Sequence, residues 1–159
     1  MDGLPTILVD NTASGRDWSW SQRTLKGAIG CTGVGVHSGR KIDLTFKPAS
    51  IDQGIVFRRT DLGVDIQAKF DNVVDTRLCT VIANGQAKVG TVEHAVAALV
   101  GAGIDNAVVE VDGPEVPILD GSSAEFVAAI RQVGIEELSA PRRYLKVLKP
   151  VRVEHGRAF

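Results

Sequence analysis

A glutamate and a histidine stand side by side at Glu93 and His94, within the stretch TVEHAVAALVGAGIDN from Thr91 to Asn106. A carboxylate can take a proton from water and a neutral imidazole can bind a metal ion, so the pair could serve a hydrolytic metal site. Neighbouring helical positions lie about 100° apart, so the two side chains address adjacent sectors and could reach one small ion from two sides. In a first helical turn the positive dipole end favours the carboxylate and disfavours imidazolium, which leaves the neutral ring that a metal needs. The same placement has a plainer reading, in which Glu93 complements the dipole and His94 hydrogen-bonds in or near the core. Local pattern leaves both open.

A catalytic zinc usually takes three protein ligands and keeps one position for water. The other donors are scattered: His37 in GVGVHSGRK, His155 near the end, the thiols Cys31 and Cys79, and many carboxylates. None forms an HxxxH or HxxxD pair, so a three-ligand set is not readable in this chain. His37 sits where glycines let backbone approach a ligand, with Arg40 and Lys41 nearby as phosphate contacts, although a plain turn accounts for the same residues. GVGVHSGR is not a phosphate loop, because it lacks the GK[ST] ending and precedes a strand. Cys79 in DTRLCT reads as a small buried hydrophobe, and neither cysteine has an adjacent base. Asp120 in PILDGSS stands just ahead of a helix start, a capping position.

The elements that must carry these residues follow from periodicity. RTLKGAIGCTGVGV, broken by glycines, predicts a bent or bulged strand pair, and KIDLTFKPA alternates Ile42, Leu44 and Phe46 against polar neighbours as a half-buried strand. IVFRRT, VDIQAKF and RLCTVIA predict further strands. Val92, Val96, Leu99 and Val100 fall at helical spacing over 91–102, with Thr91 as cap and Gly101 or Gly103 as stop. IDNAVVEVDG predicts a strand and GPEVPILDG a proline-constrained loop. A second helix follows in SSAEFVAAIRQVG, capped by Ser122 or Ser123, buried along Phe126, Val127, Ile130 and Val133, and ended by Gly134. YLKVLKPVRVEHGRAF predicts two strands around Lys149-Pro150. The sum is an α+β fold of two layers, a mainly antiparallel sheet with two amphipathic helices packed on one face. Three regions are expected: a flexible tail at 1–20 in which Trp18 and Trp20 can dock locally, a domain at 21–138, and the opening β-hairpin of a second domain at 139–159.

Bulk properties narrow the function. A chain of 159 residues, 44% of them hydrophobic, supports one domain with a real core. A net charge of -1 argues against nucleic acid or an anionic membrane as partner. Two cysteines outside any CxxC spacing suit a reducing compartment, and the N-terminus has no basic n-region, which points to the cytoplasm. No apolar run approaches membrane-spanning length.

Taken together, QRTLKGAIGCTGVGVHSGRK, FRRTDL, DTRLCT, VGTVEHAVAALVGAGIDNAVVEVDGPEVPILDGSSAEFV and VRVEHG closely resemble the LpxC family, the UDP-3-O-acyl-N-acetylglucosamine deacetylases. The resemblance begins near Gln22 and leaves the tail outside. It implies a zinc hydrolase of lipid A biosynthesis, with His94 as one zinc ligand and Glu93 as general base. It further implies that Leu78, Cys79 and Thr80 line the substrate cleft and that His37 is tied to activity. Family members carry a second, similar domain that supplies the remaining zinc His and Asp from an HxxxD helix, a further catalytic His and the acyl-chain passage. This sequence contains none of these, so binding of Zn²⁺ by the chain alone is expected to be weak or absent and hydrolysis negligible. Two readings stay open: the N-terminal half of a deacetylase, or a naturally short, non-catalytic relative that binds or regulates proteins of the lipid A pathway. A protein partner or a homodimer, meeting through the exposed half-site face and the C-terminal hairpin, is compatible with either.

Overall fold

The computed structural model describes residues 20–144 and 146–154. Along the chain run β1 (Ser21–Leu25), β2 (Ile29–Val34), β3 (Lys41–Pro48), β4 (Ile55–Arg59), β5 (Val64–Gln67), a 3-10 turn at Phe70–Asn72, β6 (Val73–Asp75), β7 (Val81–Asn84) and β8 (Ala87–Val89). They are followed by α1 (Glu93–Gly101), β9 (Ala107–Val111), α2 (Ala124–Val133) and β10 (Ile135–Pro141). This is the α+β class expected from the sequence, mostly antiparallel, with two helices.

The largest sheet has the order β2-β3-β9-β4-β5 and is mixed. Its centre is β9, whose AVVEV is buried nearly throughout, as an apolar run covered on both faces should be. It pairs antiparallel with β3 and parallel with β4, Ile55 opposite Ala107 and Arg59 opposite Val111. In β3 the predicted alternation holds, with Ile42, Leu44 and Phe46 buried and Lys41 and Asp43 exposed. Phe126 of α2 meets the Phe46 ring edge-on, centroids 5.8 Å apart, which seats the helix over that strand. Ala95, Ala98 and Leu99 turn α1 into the same core. A three-stranded sheet, β6-β7-β8, packs beside β4 and β5, and β1 pairs with β10 in a separate ribbon.

A buried amide seats the parallel pair. Asn106, just before β9, accepts a hydrogen bond from the Gly54 N–H just before β4 (2.8 Å) and donates to Gln22 Oε1 (2.9 Å). Gln22 Nε2 donates onward to Asp52 Oδ1 (2.9 Å) and the Pro141 carbonyl (3.1 Å). The neighbouring Asp105 takes an ion pair from Arg142 (2.8 Å) and the Arg23 N–H (2.8 Å). The turn that closes α1 is thus tied to β1 and to Arg142, the residue just past β10.

Several expectations are corrected. The residues of the predicted bent pair form β1 and β2, which pair with β10 and β3 instead of each other. Thr91 does not cap α1: the capping residue is Val92, and Thr91 takes φ 56° with its hydroxyl directed elsewhere. Val100 faces solvent, 61% exposed, because the burying stripe runs through Ala95, Ala98 and Leu99. Ser122 Oγ accepts the Ala124 N–H (3.0 Å) at the start of α2, whereas Ser123 Oγ donates to the His94 carbonyl (2.9 Å) and ties the helices together. Asp120 acts through Ser122, accepting its N–H (2.9 Å) and hydroxyl (2.9 Å). Gly103, at φ 76°, and Gly134, at φ 84°, close the helices as predicted.

Residues 142–144 and 146–154 carry no strand. Val147, Leu148, Val151 and Val153 are at least three-quarters exposed, and among the described residues this alternating segment has no ladder partner. His155 and the end of the predicted hairpin lie outside the described residues, as do residues 1–19 of the predicted tail. Trp20 meets Tyr144 edge-on at 5.9 Å.

Asn106→Ala should destabilise the fold by about 1 to 3 kcal/mol, because it leaves the part-buried Gly54 N–H without its acceptor and takes from Gln22 Oε1 one of its two donors, the other being the Asp52 N–H. Val100→Ala should stay within about 0.5 kcal/mol of the parent. Urea unfolding of both variants measures the contrast, and equal losses would contradict the seating role of the amide.

Candidate functional site

Glu93 opens α1, and its carboxylate is held from across the chain: Oε2 accepts the Thr80 N–H at 3.0 Å. The Thr80 carbonyl in turn accepts the Val92 N–H at 3.4 Å. The helix start and the Leu78–Thr80 segment are therefore clasped at two points, each satisfying a backbone group that a helix or strand end leaves open. The macrodipole favours the carboxylate at this end. His94 is half-buried, and its carbonyl, not its ring, takes the hydrogen bond from Ser123 Oγ.

Beside this clasp lies a cleft of about 740 Å³, lined by His37, Leu78 and Cys79 together with Arg77, Lys88 and Glu115. The structure thus brings together His37, Leu78 and Cys79, with Thr80 joining them to Glu93, while neither Glu93 nor His94 itself lines this cleft. Leu78 is 84% exposed on its rim and Cys79 is half-buried. Arg77 is engaged by Asp75 (2.6 Å), and that guanidinium holds the Asp75 carboxyl well below the usual carboxylate range. A separate cleft of about 570 Å³ beside Arg142 and Asp105 contains none of the predicted site residues.

Sequence reasoning missed Glu115. This carboxylate is 4% exposed and collects donors from two segments: the N–H groups of Ser38 (2.6 Å) and His37 (3.3 Å), and the Thr91 hydroxyl (3.3 Å). Burial works against its charge, but the bonds from Ser38, His37 and Thr91 outweigh it and hold the carboxyl below its ordinary value. Gly35 makes room for it, since a Cβ there would run into the carboxylate. Backbone bonds fix its position, Gly90 N–H to Pro114 O (2.9 Å) and Val116 N–H to Gly90 O (3.0 Å). The available signal was an acid placed between Pro114 and Pro117 in an otherwise apolar loop.

Among the described residues no three His, Cys, Asp or Glu side chains gather in a group that could hold a metal ion. A catalytic zinc takes three protein ligands, so these residues do not by themselves fit one, although His94 remains a donor of the right kind. Cys31 and Cys79 are free thiols, and burial, followed by the nearby Glu125 charge, pushes the Cys31 thiol up, away from reactivity. No described helix is long and apolar enough to cross a membrane.

Comparison with known proteins supplies the remaining observation. A family model described as LpxC, UDP-3-O-acyl N-acetylglycosamine deacetylase, matches residues 22–159. A UDP-3-O-acyl-N-acetylglucosamine deacetylase of Vibrio cholerae serotype O1 (strain M66-2) is 53% identical over 138 residues, covering 85% of this chain and 45% of the relative. One from Legionella pneumophila (strain Corby) is 53% identical over 137 residues, with the same coverage. One from Anaeromyxobacter dehalogenans (strain 2CP-C) is 54% identical over 138 residues, 87% of this chain and 45% of the relative. The chain spans less than half the length of these curated relatives.

Glu115 also makes a prediction about acid stability. Its folded carboxyl titrates below the unfolded one, so its contribution is present above the ordinary glutamate range, about pH 4.3, and is lost as pH falls through the depressed folded value. Urea unfolding of the parent and of Glu115→Gln from pH 7 to pH 2 should show the parent losing more stability over the acid limb. Parallel curves would contradict the charge-holding role.

Proposed function

This chain belongs to the LpxC family of deacetylases, and from that premise we propose that it is the N-terminal part of a zinc-dependent enzyme that removes acetate from UDP-3-O-acyl-N-acetylglucosamine in lipid A biosynthesis. The observation that carries the site assignment is the grip of the Thr80 N–H on Glu93, next to the cleft lined by His37, Leu78 and Cys79. Zinc, when bound in the complete enzyme, would supply Lewis acidity toward water and the acetamide carbonyl. Glu93 is the general base. Thr80 occupies Oε2 and fixes the carboxylate plane, so that Oε1 is the atom that takes the proton from the attacking water. His94 is one metal ligand, held on the rigid first turn of α1, and the other ligands belong to the part of the family's length that this chain does not span. Leu78, Cys79 and Thr80 form the wall against which the sugar nucleotide lies, with His37 across from them. On this reading the chain alone is inactive and works in the cytoplasm as part of the longer protein.

In the complete enzyme, Glu93→Gln keeps an acceptor for the Thr80 N–H but loses the base, and deacetylation should fall by about 10²- to 10⁴-fold. His94→Ala should lower both activity and the zinc content of the purified enzyme. Full activity in Glu93→Gln would refute the assignment. Calorimetric titration of this chain alone with Zn²⁺ at neutral pH should reveal no tight stoichiometric site, and one such site per monomer would sink the claim that the ligands are divided.

A further inference from the structure

We infer that Glu115 is a positioning residue, a buried clamp that couples the His37 turn on the wall of the cleft to the start of the Glu93 helix beside it. The inference rests on the deacetylase reading for the reaction it serves, but its geometry stands apart from that reading. Oε1 holds the Ser38 N–H, while Oε2 takes both the His37 N–H and the Thr91 hydroxyl. The turn and the helix start thus share one carboxylate.

The Thr91 end of the clamp is strained. A β-branched residue at φ 56° is an outlier that persists only where its surroundings over-determine it. Here the surroundings are the Glu115 carboxylate and the Gly90–Glu115 bridge one residue earlier. The backbone direction imposed at Thr91 sets where Val92 and Glu93 begin α1, and therefore where Glu93 meets Thr80. At the other end, the missing side chain of Gly35 lets the carboxylate pass beneath the turn that carries His37. His37 itself is exposed, with its backbone held and its ring free to face the cleft. Glu115 touches no reacting atom in this account. It acts through His37 and Glu93.

Carboxylate chemistry is required because every group that meets the two oxygens is a donor. Glutamine would turn one oxygen into an NH₂ facing N–H or O–H, so one segment must let go. Gly35→Ala reaches the same end by another route, adding a Cβ that displaces the carboxylate without removing its charge.

The test uses the complete enzyme for kinetics and this chain for amide hydrogen exchange. Glu115→Gln and Gly35→Ala should each lower kcat by about 10- to 100-fold with little change in KM, the size of effect expected from misplacing a catalytic group. In a His37→Ala background Glu115→Gln should cost less than it does in the parent, the remaining loss being the part that runs through Glu93, because coupled residues are non-additive. Exchange should quicken at the Ser38 amide and also at the Thr80 amide that Glu93 holds. Unchanged kcat, additive effects with His37→Ala, or exchange that quickens at Ser38 alone would each overturn the clamp. Glu93→Gln, run alongside, separates the two claims: if it retains full activity the deacetylase assignment falls, and the paired exchange of Ser38 and Thr80 still decides the clamp. If Glu115→Gln fails to fold, Gly35→Ala carries the same measurements.

Discussion

Two strands that run parallel cannot be joined by a tight turn. The pairing of β4 with β9 therefore obliges the chain, once β5 has extended the sheet, to leave it over residues 68–106 and come back, and much of chemical interest rides on that excursion. Leu78, Cys79 and Thr80 lie on its outward part, and Glu93 and His94 on the helix that brings the chain home. The hydrogen bond from Gly54 N–H to Asn106 Oδ1 joins the residues just before the two strands, so a single amide marks both the departure and the return. A crossover set in this way gives loops a rigid base, the usual arrangement where a scaffold carries function.

The site is assembled from three separate places along the chain, which is why rigidity at each junction matters. Thr80 and Glu93 are clasped within the crossover. His37 comes from the turn between β2 and β3, and Glu115 from the loop after β9. The ion pair of Arg59 with Asp61 (2.7 Å) and the bond from Arg59 to the Lys88 carbonyl (2.6 Å) tie the end of β4 to β8, the strand beneath the cleft. The Arg59 guanidinium holds the Asp61 carboxyl below its usual range.

Where burial was written into a period, the sequence could be read directly. Ile42, Leu44 and Phe46 announced β3, and Phe126 with Ile130 announced the inner face of α2. Three-residue strands such as β6 and β8 are too short to show a period, and β10, with Glu136 and Glu137 exposed, looks like surface until β1 is placed against it. Thr91 was misread because a local capping rule competed with a partner 24 positions away, and the distant partner won. The Glu93–His94 pair was visible as a motif, and its clasp to Thr80 was not, since nothing local links position 80 to position 93. Family resemblance supplied the roles of these residues, while the contacts that hold them in place came from the fold.

The ribbon of β1 and β10 has a mechanical side. Ser21 lies opposite Pro141, so the outer ends of both strands of the ribbon meet at one corner, where Trp20 leans on Tyr144. Tension applied to both ends would load the antiparallel ladder from that corner and open it one rung at a time, as a zipper opens, instead of shearing all rungs at once. The first bonds to part would be those of Arg142 to the Trp20 carbonyl and of Gln22 to Pro141. Beyond them lies Asn106, so peeling the ribbon would reach the seat of the parallel pair before it reached the cleft.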